Sequence, residues 1–187
     1  MNRKLTSSRV RENGFTPLRQ LLEESLSYSN SVAQQDEMWV EHVIQNAKKA
    51  LKAPSTPSLV LHDYKEANLT VENRDGQWNV SGVFDLMEAM FGDGEVDVVR
   101  QLAAYMEEDL TLAKSFLNGY QETASLRPEA YERLAFYLVC DRMVLWEYFH
   151  RPEHISEWWY GEKTIEEWIS SYLVKLDKLL QNQHADA

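Results

Sequence analysis

Asn73-Arg74-Asp75-Gly76 constrains this chain more than any other stretch. Asp-Gly between two β-type runs signals a tight reversal, because both central residues of a two-residue hairpin loop need positive φ. The flanking runs, Asn68-Leu69-Thr70-Val71 and Trp78 through Phe84, are expected to pair as strands. An apolar run, Leu59-Val60-Leu61, precedes them. This is the one clearly β part of the sequence.

Helical patterning surrounds the insert. Thr16-Pro17 predicts a helix start, with the helix running over 18–28. Trp39, Val40, Val43, Ile44, Ala47 and Leu51 predict an amphipathic helix over 32–53, stopped by Pro54 and Pro57. Beyond the hairpin, Val96, Val99, Leu102, Ala103 and Met106 form one stripe, and 110–120 predicts a further helix. Pro128 opens a long helix to Phe149, which Arg151-Pro152 closes. Thr164 and Glu167 fit a capping box before the stripe Ile165, Trp168, Ile169, Tyr172, Leu173, Leu176, Leu179 and Leu180. The expected fold class is α+β, mostly α. Residues 1–15 are expected to be a flexible arm, 16–183 a single domain and 184–187 a frayed tail.

Composition excludes several functions. Apolar residues make up 44%, enough for a core. No window approaches the roughly 18 apolar residues of a membrane span, and no apolar segment follows the basic N-terminus as in a secretory signal. The lone Cys140 allows no internal disulfide, so a reducing, cytoplasmic location is expected. A net charge of −11 argues against nucleic acid, whose partners need a basic footprint. The basic residues Arg3, Lys4, Arg9, Arg11 and Arg19 are expected to be a solvated terminus.

The polar residues of the β insert carry the candidate chemistry. Asp63 is followed by Asn68 after four intervening residues, then by the hairpin and an apolar strand ending in Asp85. Gly92-Asp93 and Asp97 come next, with Asp97 opening a helix. Asp-x4-Asn alone is uninformative; the ordered set is specific. Protein kinases use this layout. Two oxygen ligands converge on Mg²⁺ and its nucleotide phosphates, and a third carboxylate sits near the acceptor hydroxyl.

In detail, residues 58–110 resemble the aminoglycoside phosphotransferase / choline kinase family. That family shows His-Gly-Asp-x4-Asn, an apolar strand ending Ile-Asp, and Gly-Asp-x3-Asp. The resemblance implies a protein-kinase-like C-lobe and ATP-dependent phosphoryl transfer to a small-molecule hydroxyl, with ATP and Mg²⁺ as cofactors. It makes Asp63 the catalytic residue and Asn68 and Asp85 the metal ligands. Asp97 and His62 would support the catalytic loop, and Asp93 falls on the downstream pair. Leu61 stands where the family has histidine and His62 where it has glycine, so the loop's support is expected to differ. The family's N-terminal nucleotide lobe is expected to be absent. A homodimer or a complex with a separate lobe is therefore expected, to cover apolar surface near Leu59–Leu61. The alternative function is a non-catalytic, pseudokinase-type remnant, or a subunit needing a partner lobe.

Other polar features have plainer readings. Asp63 and Asn68 also suit a simple turn, and Asp85 the start of a short helix. His150 and His154 have a metal-ligand spacing, but Pro152 breaks the helix between them. Cys140 is expected to act as a small apolar residue, and Trp158-Trp159-Tyr160 as an anchor between helices. Glu107-Glu108-Asp109 is either a solvated acidic face or an attractor for a cationic acceptor.

Overall fold

A computed structural model describes residues 34–158, 160–161 and 163–183. The helix expected over 18–28, the arm over 1–15 and the tail over 184–187 lie outside the described residues. Among the described residues are α1 (Gln34–Ala47), α2 (Glu95–Glu108), α3 (Leu110–Thr123), α4 (Ala130–Phe149) and α5 (Ile165–Gln183). Between α1 and α2 lie β1 (Ser58–Val60), β2 (Leu69–Arg74), β3 (Gln77–Val83) and β4 (Met90–Gly92).

Helix α4 is the centre of the helical body, packed against α1, α2 and α5. Leu134, Phe136, Leu138, Val139, Met143 and Trp146 are buried on more than one of its faces, as befits a helix enclosed by others. α1 supplies Val40, Val43, Ile44 and Ala47 to the core, and α2 supplies Val98, Val99, Leu102, Ala103 and Met106. Helix α1 ends at Ala47, short of the expected 53. A 3₁₀ turn over Ala50–Lys52 follows, which keeps Ala50 buried while the chain turns toward Pro54. Helix α4 starts at Ala130 rather than Pro128, because Glu129 has φ 59. The Arg133 guanidinium donates to the carbonyls of Pro128 (2.6 Å) and Glu129 (3.3 Å) there.

The hairpin forms where the sequence demands it. Arg74 pairs with Gln77, and Asp75 (φ 54) and Gly76 (φ 85) make the turn. The capping box is reciprocal: the Thr164 amide donates to Glu167 Oε2 at 2.9 Å, and the Glu167 amide to Thr164 Oγ1 at 3.1 Å. One strand is unexpected. β4 pairs antiparallel with β1, Val60 opposite Met90 and Ser58 opposite Gly92. The small β part is thus two separate two-stranded sheets, and the segment 61–68 runs between them rather than on the hairpin itself.

The plainer readings hold for several side chains. Trp158 packs against Trp146 and Trp168, with ring centroids 5.0 and 5.1 Å away, and ties the α4–α5 connection to the core. His150 Nδ1 bonds the Trp146 carbonyl and His154 Nδ1 bonds Glu157, so the two imidazoles face different partners. Burial pushes the Cys140 thiol up to about 12, the direction opposite to that of an activated nucleophile. Among the described residues, no helix is long and apolar enough to cross a membrane.

Candidate active site

The loop between β1 and β2 is gripped from below by α2. Asp97, in the first turn of α2, accepts the backbone amides of Leu61 (2.6 Å) and His62 (2.9 Å). The two carboxylate oxygens thereby fix two consecutive peptide units. His62 has φ 61, a left-handed conformation that costs a side-chain-bearing residue roughly 1–2 kcal/mol. This is the position where the family pattern has glycine, which adopts such a conformation at little cost. Its amide, rather than its imidazole, makes the contact with α2. One turn further along α2, Arg100 Nη2 reaches Asp63 Oδ1 at 3.5 Å. Tyr105, a further turn along, lies against Glu66 of the loop; burial and that carboxylate push its hydroxyl up to about 12.

Asp63 and Asn68 are in direct contact. Asn68 Nδ2 donates to the Asp63 carbonyl at 2.9 Å and to Asp63 Oδ2 at 3.1 Å. Lys65 Nζ also donates to Oδ2, at 2.8 Å. The Lys65 bond holds the Asp63 carboxyl below the usual carboxylate range. Partial burial opposes this, and Asn68 and Arg100 reinforce it. Oδ2 is occupied twice, whereas Oδ1 takes, among the described residues, the long Arg100 contact alone.

The Asn68 amide nitrogen is the atom turned to Asp63, as a carboxylate requires of an amide partner. The Phe84 amide donates to the Asn68 carbonyl at 2.8 Å, and Leu69 pairs with Val83. The hairpin thus returns Asp85 to the end of the sheet at which Asn68 stands. Asp85 has φ 56 and starts no helix; a turn closed by the Ala89 amide on the Leu86 carbonyl follows it. Its carboxylate is exposed and takes no protein partner among the described residues.

Asp93 belongs to a different cluster. It accepts from Arg127 and from the Tyr137 hydroxyl (2.8 Å), beside Glu95. It anchors α2 and does not face the loop carboxylate. Glu107 is not simply a solvated acid either. It accepts from Tyr160 (3.0 Å), Tyr172 and Arg142 (3.2 Å), while Asp109 caps α3 through the Thr111 amide (2.8 Å). Glu107 is thus exposed but already bonded to the helical body.

Sequence reasoning missed Lys65, Arg100 and Asp141. The last holds Arg100 Nη1 at 2.8 Å. A signal for Arg100 existed: it lies three residues after Asp97 on a predicted helix, hence on the same face.

The chain belongs to the phosphotransferase enzyme family, whose aminoglycoside-phosphotransferase-type (APH) model matches residues 3–137, well over half of its length. Comparisons with curated proteins and with solved structures found no match.

Proposed function

We propose that the chain transfers the γ-phosphoryl group of ATP to a small-molecule hydroxyl at the loop carrying Asp63. One observation carries the reading. Asn68 spends its amide nitrogen on Asp63, its side-chain oxygen takes no protein partner among the described residues, and the Phe84 amide ties the residue before Asp85 to the Asn68 backbone. That donor set fits a hard cation, since both atoms are oxygens and one is charged. Asn68 and Asp85 would hold Mg²⁺, which would supply charge neutralisation to the nucleotide phosphates. Among the described residues no three His, Cys, Asp or Glu side chains could hold a metal together, so the remaining ligands would be phosphate oxygens and water.

Asp63 then receives the acceptor hydroxyl on Oδ1, its less occupied oxygen. The acceptor oxygen bonds to the γ-phosphorus as the bond to the ADP leaving group breaks, and the hydroxyl proton passes toward Asp63. A carboxylate held below its usual range is a weak base. Its part is to orient the hydroxyl, with proton transfer late in a loose transition state. Asp97 supports the geometry through the loop backbone.

Calorimetric titration with Mg-ATP tests this. Binding is expected in the presence of Mg²⁺, with the metal alone binding far more weakly because two protein ligands do not complete its shell. No binding at millimolar Mg-ATP would sink the enzymatic reading and leave the non-catalytic alternative.

A covering partner is part of the same proposal. Leu59, Trp78, Phe84, Met87 and Phe91, around the loop and hairpin, are all exposed, with Met87 at 86% and Trp78 at 71%. Exposed apolar surface of this kind is commonly covered by a second chain. Light scattering is expected to show a homodimer, or a complex when a separate nucleotide lobe is added. A monodisperse monomer that recruits neither would count against it.

A further inference from the structure

We infer that Arg100 is a positioning residue for Asp63, and that Asp141 holds Arg100 in place to do so. The inference rests on the phosphotransferase reading of Asp63. Its basis is the way α2 meets the loop. Asp97 and Arg100 lie three residues apart, on one face of the helix. Asp97 takes the amides of Leu61 and His62, and Arg100 reaches the carboxylate of the next residue, Asp63. One helix face therefore sets three consecutive loop residues, two through the backbone and one through the side chain.

Arg100 is itself held from α4. Its Nη1 donates to Asp141 Oδ1 at 2.8 Å. The other oxygen of Asp141 takes a fork from Arg142, Nε at 3.0 Å and Nη2 at 2.6 Å. Arg142 is buried, and its Nη1 reaches Glu107 near the C-terminal end of α2. Acid and base thus alternate from Glu107 through Arg142, Asp141 and Arg100 to Asp63. Each guanidinium in the series bridges two carboxylates, which hold it from both sides. A planar fork suits this bridging. A lysine at position 100 carries one compact ammonium on a different stem and cannot hold both carboxylates in the same geometry.

The geometry also separates the roles of the two cations beside Asp63. Lys65 is half exposed and bonds Oδ2, the oxygen that Asn68 shares. Arg100 approaches Oδ1, the oxygen assigned to the acceptor. At 3.5 Å its contact is long enough to leave Oδ1 able to accept a substrate hydroxyl, while limiting rotation of the carboxylate about its stem.

The test uses the full chain and four proteins: wild type, Arg100→Gln, Arg100→Lys and Asp141→Asn. The side-chain amide of Asn68 and the carboxyl carbon of Asp63 are followed by NMR at neutral pH. Both signals are expected to shift in Arg100→Gln and in Asp141→Asn. The Leu61 and His62 amides, which Asp97 holds, should stay near their wild-type positions. Arg100→Lys should fall between wild type and Arg100→Gln. ADP release from Mg-ATP, with water and a panel of hydroxylated compounds as acceptors, is the second readout. There kcat should fall by about 10-fold to 100-fold, with KM for Mg-ATP nearly unchanged, because a slightly misplaced group is felt mainly in the transition state. Unshifted Asp63 and Asn68 signals in Arg100→Gln would overturn the inference, even if thermal stability drops. Failure of wild type to bind Mg-ATP is a separate result: it removes the phosphotransferase reading and with it the catalytic purpose of the clamp. If Arg100→Gln does not fold, Asp141→Asn, which keeps Arg100, decides by the same two signals.

Discussion

Asp63→Asn is expected to lower turnover by about 10²–10⁴-fold, the usual range for losing a positioned acid–base group, while Mg-ATP affinity stays close to wild type. The two effects separate because of where the side chains point. In the proposed reaction Asp63 would meet the acceptor through Oδ1 and bear on the proposed metal ligands through Asn68, whose amide nitrogen can still donate to the new amide oxygen and to the backbone carbonyl of residue 63. The lost negative charge matters chiefly as the acceptor hydroxyl gives up its proton, so the loss appears in kcat. Asp85→Asn should behave differently. It removes the only formal charge from the pair proposed to hold Mg²⁺, so Mg-ATP affinity and turnover should fall together. Calorimetry with Mg-ATP gives the first quantity and ADP release with hydroxylated acceptors the second. The reverse pattern, with Asp63→Asn abolishing nucleotide binding and Asp85→Asn harmless, would show the roles to be assigned wrongly. If both variants bind and turn over like wild type, the loop has no catalytic part.

The reach of sequence reasoning follows the range of the interactions. The hairpin turn and the Thr164–Glu167 capping box depend on residues at most three apart, and both stand where the pattern put them. Strand β4 was illegible. Met90-Phe91-Gly92 is three residues long, and it exists because β1, some thirty residues upstream, offers an edge to pair with. The ordered Asp63, Asn68, Asp85 and Asp97 could be singled out because the family pattern carries their spacing. The i, i+3 spacing from Asp97 puts Arg100 on the face that meets the loop, but spacing alone does not show that its guanidinium reaches the Asp63 carboxylate, since lone basic residues on helices are normally solvated. Glu107 misleads for the same reason. Beside Glu108 and Asp109 it looks like part of a charged surface, yet two tyrosines and an arginine from α4 and the α5 region converge on it.

The site also depends on how α2 is seated, and here the largest effect on stability is expected. Arg133 is 0% exposed and Glu95 4% exposed. Arg133 Nε donates to Glu95 Oε2 at 2.6 Å and Nη2 to Oε1 at 3.0 Å, and the same guanidinium takes the carbonyls of Arg127 (3.1 Å) and Pro128 (2.6 Å). Glu95 is the first residue of α2, two before Asp97, so this pair sets the end of the helix that grips the loop. Arg133→Met should cost about 3–5 kcal/mol, because it leaves a buried carboxylate short of its fork and takes a donor from the carbonyls of Arg127, Pro128 and Glu129. Arg127→Met should cost less. Arg127 also bonds Glu95, at 2.9 Å, but it is partly exposed, and its loss leaves the Arg133 fork intact. Acid should narrow the gap between wild type and Arg133→Met. Burial pushes the Glu95 carboxyl up, and the hydrogen bonds from Arg133 and Arg127 outweigh it, so the native value lies below the ordinary one. A lowered native pKa contributes stability that is fully present above the unfolded value of about 4.3 and is lost as pH falls through the native one. In the variant the weakened fork gives up most of that contribution at every pH, so it has less to lose. Urea denaturation at neutral pH and near pH 3 measures both quantities. A variant with wild-type stability at neutral pH would show that the fork is dispensable, and a gap that widens in acid would show that Glu95 is not held ionised by Arg133.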